Sequence, residues 1–130
     1  MFKKVFSCSD YNLAMLLGRI GAGSVFLAHG LQKLGNLDGT SMFMASLGLP
    51  SFFGPFIMAV EVLGGLALIV GAFSRIAGLV LAVDMAFAIC LVKFSKGFIG
   101  GYEFELLLLL VALGIHLAGP GKYAVGKDWW

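Results

Sequence analysis

The sequence predicts an all-helical, polytopic membrane protein built as a bundle of four spanning helices. Three observations carry this. Of 130 residues, 60% are hydrophobic and 12% charged, with a mean hydropathy of +1.00. A soluble domain has roughly 45–50% apolar and about 25% charged residues, so these side chains cannot cover a globule in water. The apolar residues gather into four runs, each near the length of about 20 that a spanning helix needs. Glycine is abundant and proline sparse, 19 residues against three, which suits helices packed backbone to backbone in lipid. A net charge of +2 with no basic run argues against a nucleic-acid partner.

The first span is expected over about 13–34, ending at Gly35-Asn36. The loop from Asn36 to Ser51 contains Met42-Phe43-Met44 and Leu47-Gly48-Leu49-Pro50, apolar enough for a short helix in the membrane interface. The second span is expected over about 52–73, a tight link at Ser74-Arg75 leads to a third over about 76–94, and Ser95 to Gly101 form a turn. The fourth runs over about 102–118 and is stopped by Gly119-Pro120-Gly121. No linker or repeat marks a second unit, so a single domain over 1–130 is expected. A cleaved leader is not expected, because Asp10 and Arg19 interrupt the apolar core that would follow Lys3-Lys4, and no apolar stretch precedes Cys8. Four spans put both termini on one side. That side carries Lys3, Lys4, Arg75, Lys122 and Lys127 against Lys33, Lys93 and Lys96 on the other, which predicts cytoplasmic termini, with Trp129-Trp130 as interfacial anchors.

Ionisable groups inside a span cost about 2.5–3.5 kcal/mol each on insertion scales and mark function or paired contacts. Span one carries Arg19 and His29, span two Glu61, span three Asp84, and span four Glu103, Glu105 and His116. At about 1.5 Å per residue, Arg19 lies roughly 9 Å from the cytoplasmic boundary, Glu61 and Asp84 roughly 15–17 Å, Glu105 roughly 20 Å and His29 roughly 24 Å, with His116 near the inner boundary. Arg19 shares a face with Ala22, Gly23, Phe26 and Gly30, and Glu61 one with Gly54 and Gly65, so both point at neighbouring helices. An Arg19–Glu61 ion pair is therefore expected. That leaves Asp84 and Glu105 without a cation at their depth, and in a low dielectric at least one carboxyl should carry a proton. Arg19, Glu61 and Glu105 are the candidate catalytic residues; His29, Asp84 and His116 are candidate ligand-binding residues. The competing reading is structural: interhelical salt bridges that fix the bundle, a reading favoured for Asp84. The two histidines lie too far apart in depth to clamp one haem iron, and no cluster has metal-ligand spacing. Cys8 and Cys90 cannot pair within one chain, and Cys90 extends a small-residue ladder with Gly78, Ala82 and Ala86, reading as a packing residue.

Several pieces resemble the DoxX family of small four-helix bacterial membrane proteins. They are Arg19 with Gly30-Leu31-Gln32-Lys33-Leu34, the approach Gly48-Leu49-Pro50, Glu61-Val62-Leu63-Gly64-Gly65, and Gly71 before Arg75. Asp84-Met85 with Ala88, and Phe104-Glu105-Leu106 leading to Gly119-Pro120-Gly121-Lys122-Tyr123, complete the set. The tail departs from the family's Ser-Leu-Asp-like ending and reads Ala124-Val125-Gly126-Lys127-Asp128. The resemblance covers about Leu17 to Tyr123. It implies an inner (plasma) membrane protein described as an oxidoreductase component and linked to quinone-dependent thiosulfate oxidation and membrane redox complexes, with no agreed catalytic residues. The resulting expectation is a membrane component of a redox complex that binds a quinone between its helices. Glu61 would exchange protons, Arg19 would hold its charge or polarise a quinone carbonyl, and Glu105 would connect the site to the outer face. The sequence holds no electron carrier of its own, so redox partner subunits or a cofactor are implied. The alternatives are a non-enzymatic scaffold or assembly factor, and a small proton-coupled carrier working as a homo-oligomer through its glycine faces.

Overall fold

A computed structural model of the chain describes residues 10–130, and Lys3, Lys4 and Cys8 lie outside the described residues. Helix α1, Tyr11–Leu34, starts where the Asp10 carboxylate accepts the Leu13 N–H at 3.0 Å, a side-chain cap for one of the free donors of the first turn. At 24 residues it is about 36 Å long, enough to cross a bilayer. Its buried residues are Arg19, Ala22, Gly23, Phe26 and Gly30, the stripe that helical spacing predicts. Helix α2, Leu37–Ser46, is capped by the Asn36 side chain and has no buried residue. It is the short helix expected between the first two spans.

Helix α3 covers Phe53–Val70, three residues shorter at its end than the expected span. Gly71 takes a left-handed conformation (φ 78°) that closes the helix, and Phe73 follows it into that region (φ 52°). Helix α4, Ser74–Ala88, therefore begins within the stretch expected to be a link. It continues through a π turn at Ile89–Lys93 and a 3-10 turn at Phe94–Lys96. After Gly97 the chain kinks through Phe98–Tyr102, where Ile99 (ψ 122°) and Gly100 (φ 73°) leave helical geometry, and enters α5, Glu103–Ala118. Among the described residues, four helical stretches are long and apolar enough to span a membrane: Tyr11–Leu34, Phe53–Val70, Ser74–Lys96 and Phe98–Ala118. Large apolar side chains such as Leu17, Leu63, Leu107 and Leu117 remain exposed around them, which is the surface a lipid-embedded bundle presents.

The bundle is assembled from two close helix pairs. In the antiparallel pair α1/α3, a Cβ placed on Gly23 would lie 2.8 Å from the Gly65 carbonyl oxygen, and one on Gly30 would lie 2.8 Å from the Val62 nitrogen. In the pair α4/α5, Gly78 sits against Ala112, where a Cβ would lie 2.6 Å from the carbonyl oxygen. Phe26, Leu68, Leu81, Met85, Leu108 and Ile115 fill the core. The small-residue ladder of α4 does not run its full expected length. Gly78 and Ala82 are buried, but Cys90 is exposed, because the π turn widens the helix there and rotates the four-residue repeat off the packed face.

Residues 119–130 fold back across the end of the bundle that carries Asp10. The Val125 and Gly126 N–H groups each donate at 3.1 Å, to the Val70 and Gly71 carbonyls, and the Lys122 N–H donates to Asn12 Oδ1 at 2.9 Å. The first two bonds satisfy carbonyls that the end of α3 leaves free. Trp129 packs on Phe73 with ring centres 5.3 Å apart, and the Arg75 guanidinium lies 5.8 Å from the Trp130 ring.

The glycine seam gives a direct test. Gly65→Ala would drive a methyl group into the α1 backbone, 2.7 Å from the Leu27 nitrogen, and is expected to cost about 1–3 kcal/mol. Gly18→Ala, with nothing within 4 Å, should hold or raise the thermal midpoint in detergent, since alanine is the better helix former; equal losses at the two positions would contradict the seam.

Candidate functional site

A cavity of about 670 Å³ lies between the two helix pairs, with α2 contributing Phe43 and Met44 to its wall. Its walls are mostly apolar, with Phe26, Phe53, Val80, Phe104 and Leu108 among them. Phe56, Val83 and Phe87 belong both to this lining and to the exposed surface, so the cavity opens sideways where lipid chains would lie. Ligand pockets have volumes of about 300–1,000 Å³ and carry a few convergent polar groups on apolar walls. Here those groups are His29, Lys33, Glu61, Asp84, Lys93 and Glu105.

At the centre Lys33 Nζ donates to Glu61 Oε2 at 2.7 Å. The Glu61 side chain is 4% exposed and that of Lys33 25%. Helical side chains lean toward the N-terminus of their own helix. In an antiparallel pair, Lys33 in the last turn of α1 therefore leans back toward the middle, and Glu61, halfway along α3, leans up to meet it. The same geometry corrects the expected Arg19–Glu61 pair. Arg19 leans toward the opposite end of the bundle, and the register set by Gly23 against Gly65 and Gly30 against Val62 places Glu61 beside Gly30, more than two turns from Arg19.

Asp84 is 7% exposed and its carboxyl stands against that of Glu61, with Lys33 within electrostatic reach of both. One ammonium faces two carboxylates, and Asp84 Oδ2 has no partner. The structural reading favoured for Asp84 from sequence did not anticipate this neighbour. At the loop end of the cavity Lys93 Nζ lies 3.5 Å from Glu105 Oε1, while Glu105 Oε2 is buried without a partner. Lys93 belongs to the π turn of α4. His29, one turn before Lys33, sets its ring 5.9 Å from that of Phe104. Glu103 is turned to the loop, where it accepts the Gly100 N–H at 3.0 Å.

Arg19 and His116 lie elsewhere. Arg19 is fully buried; its Nη2 donates to the Tyr123 carbonyl, and Nε and Nη1 have no partner. Its guanidinium occupies the space that the missing side chain of Gly71 leaves, against the C-terminal end of α3, where the helix dipole favours a cation. His116 and Arg75 hold each other: His116 Nδ1 donates to the Arg75 carbonyl at 2.9 Å, and Arg75 Nη1 donates to the carbonyls of His116 and Leu117, each at 3.0 Å. Neither Arg19 nor His116 lines the cavity. Of the six residues singled out from sequence, the structure thus gathers Glu61, Asp84, Glu105 and His29. Lys33 and Lys93 were read as flanking cations, Lys33 also within a family motif, and neither as a site residue. For Lys33 a signal existed: positions 19, 26 and 33 repeat every seven residues, which puts it on the buried stripe of α1.

The DoxX family pattern matches residues 14–94, well over half of the chain. The chain belongs to the DoxX family. It is 39% identical over 119 residues to a Bacillus subtilis protein named "Putative oxidoreductase CatD", covering 92% of this chain and 87% of that one. It is 30% identical over 126 residues to the uncharacterized membrane protein Rv3486 of Mycobacterium tuberculosis, covering 84% of this chain and 77% of the relative. It is also 26% identical over 121 residues to the inner membrane protein YqjF of Escherichia coli, covering 89% and 92% respectively. No solved structure matches.

In this DoxX protein, Lys33→Met leaves the Glu61 carboxylate buried without its ammonium. We expect a loss of about 3 kcal/mol, the lower end for breaking a buried pair, because Lys33 keeps part of its side chain in the open. Adding Glu61→Gln in the same chain should recover most of that loss in a thermal melt in detergent; a double variant as unstable as the single one would show that the pair is not the cause.

Proposed function

We propose that this DoxX protein is the membrane component of a redox complex and that its cavity takes the head of a lipophilic quinone. The observation that carries this reading is the joining of two features. A laterally open apolar cavity can admit a prenyl tail from the bilayer, and the Lys33–Glu61–Asp84 cluster lies on its wall. A quinone supplies two-electron, two-proton chemistry. The residues fit such a guest: the ammonium of Lys33 can donate to an oxygen of the head, and the carboxyls can pass protons. Family membership and the oxidoreductase in the name of the Bacillus subtilis relative add support.

On this reading Glu61 exchanges protons with the bound head, and Lys33 takes over the part first given to Arg19, holding the charge of Glu61. Asp84 shares the proton load, since two carboxyls against one ammonium leave one negative charge in excess that a proton neutralises. Glu105 and Lys93 lie between the cluster and the loop joining α4 to α5, where a proton can reach water. Arg19 acts as a positioning residue by tying the C-terminal segment to α3. Electrons come from a partner subunit. An inner-membrane location with both termini in the cytoplasm belongs to the same proposal.

The test is solvent extraction and mass analysis of protein purified gently from its native membrane. About one quinone per chain is the expected result; phospholipid alone would overturn the reading and leave the scaffold role in its place. Glu61→Gln keeps shape and hydrogen bonding but removes the titrating group. It should slow quinone reduction by the intact complex about a hundredfold, the usual scale for a proton-transfer group, with the melting midpoint little changed.

A further inference from the structure

We propose that the cavity is built for the reduced, hydroxyl-bearing form of its guest, so that a quinol binds in preference to the corresponding quinone. This rests on the quinone reading above and adds the oxidation state that the site selects. The argument is an inventory of polar atoms. Lys33 spends an N–H on Glu61 at 2.7 Å, and Lys93 faces Glu105 Oε1 at 3.5 Å. The two buried side-chain atoms on the cavity lining that lack a partner are Asp84 Oδ2 and Glu105 Oε2. Both are carboxyl oxygens: an ionised carboxylate can only accept, and a proton that Asp84 shares lies toward Glu61, so Oδ2 accepts in either state. They stand on different helices, α4 and α5, and Asp84 is 7% exposed. Counted together, Lys33 and Lys93 oppose Glu61, Asp84 and Glu105, which leaves one negative charge in excess; His29 is the remaining titratable group on the lining.

What these two oxygens lack is a hydrogen-bond donor. A quinone head offers two carbonyl oxygens, whose lone pairs would meet those of the carboxylates. A quinol head offers two hydroxyl groups that donate. Sites with buried polar atoms discriminate strongly against a ligand that leaves those atoms unpaired. Each unmet buried acceptor costs about 1–3 kcal/mol, so one such contact already corresponds to about a tenfold difference in affinity. The shapes of the two forms are nearly the same, so the preference comes from the donors and not from the fit of the ring or tail.

The experiment is anaerobic calorimetric titration of the full chain in lipid nanodiscs with decylubiquinol and with decylubiquinone. Quinol should bind at least about tenfold more tightly, which raises the midpoint potential of the bound couple by about 30 mV for each factor of ten. Asp84→Asn places an amide donor where the acceptor stands, and Glu105→Gln does the same on α5, so each should shrink the preference or turn it toward the quinone. Equal affinities, tighter quinone binding, or a ratio unmoved by both substitutions would overturn the proposal while leaving the quinone reading standing. Failure of both compounds to bind would overturn this proposal and the quinone reading together. The wild-type ratio decides the matter even if a variant does not fold.

Discussion

Close approach of two backbones governs this protein. Where α1 and α3 meet at Gly23 and Gly65, and again at Gly30 and Val62, there is no room for a methyl group, so the register of the pair is fixed within a fraction of a turn. Lipid offers helices little hydrophobic reason to associate, and packing of small residues supplies the attraction instead. Once that register is set, the lean of the side chains brings Lys33 and Glu61 together and carries Arg19 the other way. The ion pair follows from the seam, and it in turn makes a buried carboxylate at mid-helix tolerable.

The same tightness accounts for the cavity. α1 closes on α3 and α4 closes on α5, each through glycine, and the two pairs face each other through larger side chains. Space remains between them at the α2 end, where the core residues Leu68, Leu81 and Ile115 no longer reach. The π turn of α4 enlarges and re-aims this region by bringing Lys93 to Glu105. Wide turns of this kind are uncommon and frequently occur at functional sites. Glu61 and Asp84 are buried and each is set against another helix, as a bilayer requires of charges at that depth.

Much of the fold could be read from residue order alone. Apolar run length gave four spans, and the spacing of Arg19, Ala22, Gly23, Phe26 and Gly30 gave the buried stripe of α1. Boundaries were less legible because they depend on local backbone states: Gly71 and Phe73 both turn left-handed, which composition does not announce. The site was half legible. Glu61, Asp84 and Glu105 stood out as charges in apolar runs, yet their partners did not. Depth counted from one boundary treats each residue as a point. A lysine or glutamate reaches several ångströms along the helix axis in a fixed direction, and that direction decided which cation Glu61 meets. Lys93 depended on a π turn that no spacing rule foretells.

The strap of residues 119–126 is held almost wholly by its main chain: Arg19 grips the carbonyl of Tyr123, and the amides of Val125 and Gly126 reach the end of α3. Such a clasp reads backbone shape: it needs glycine at 119 and 121, where φ is positive, and at 126, where Trp129 leaves no room, and asks little of the residues between. The tail of this chain can therefore depart from its family's usual ending and still shield the Arg19 charge, since neither Ala124 nor Val125 need be any particular residue for the clasp to close. At 125 it forbids proline, which removes the amide hydrogen itself; at 126 it also requires glycine, because a Cβ there would run into the Trp129 ring. At 124 and 125 the letters are free to drift where the path is not.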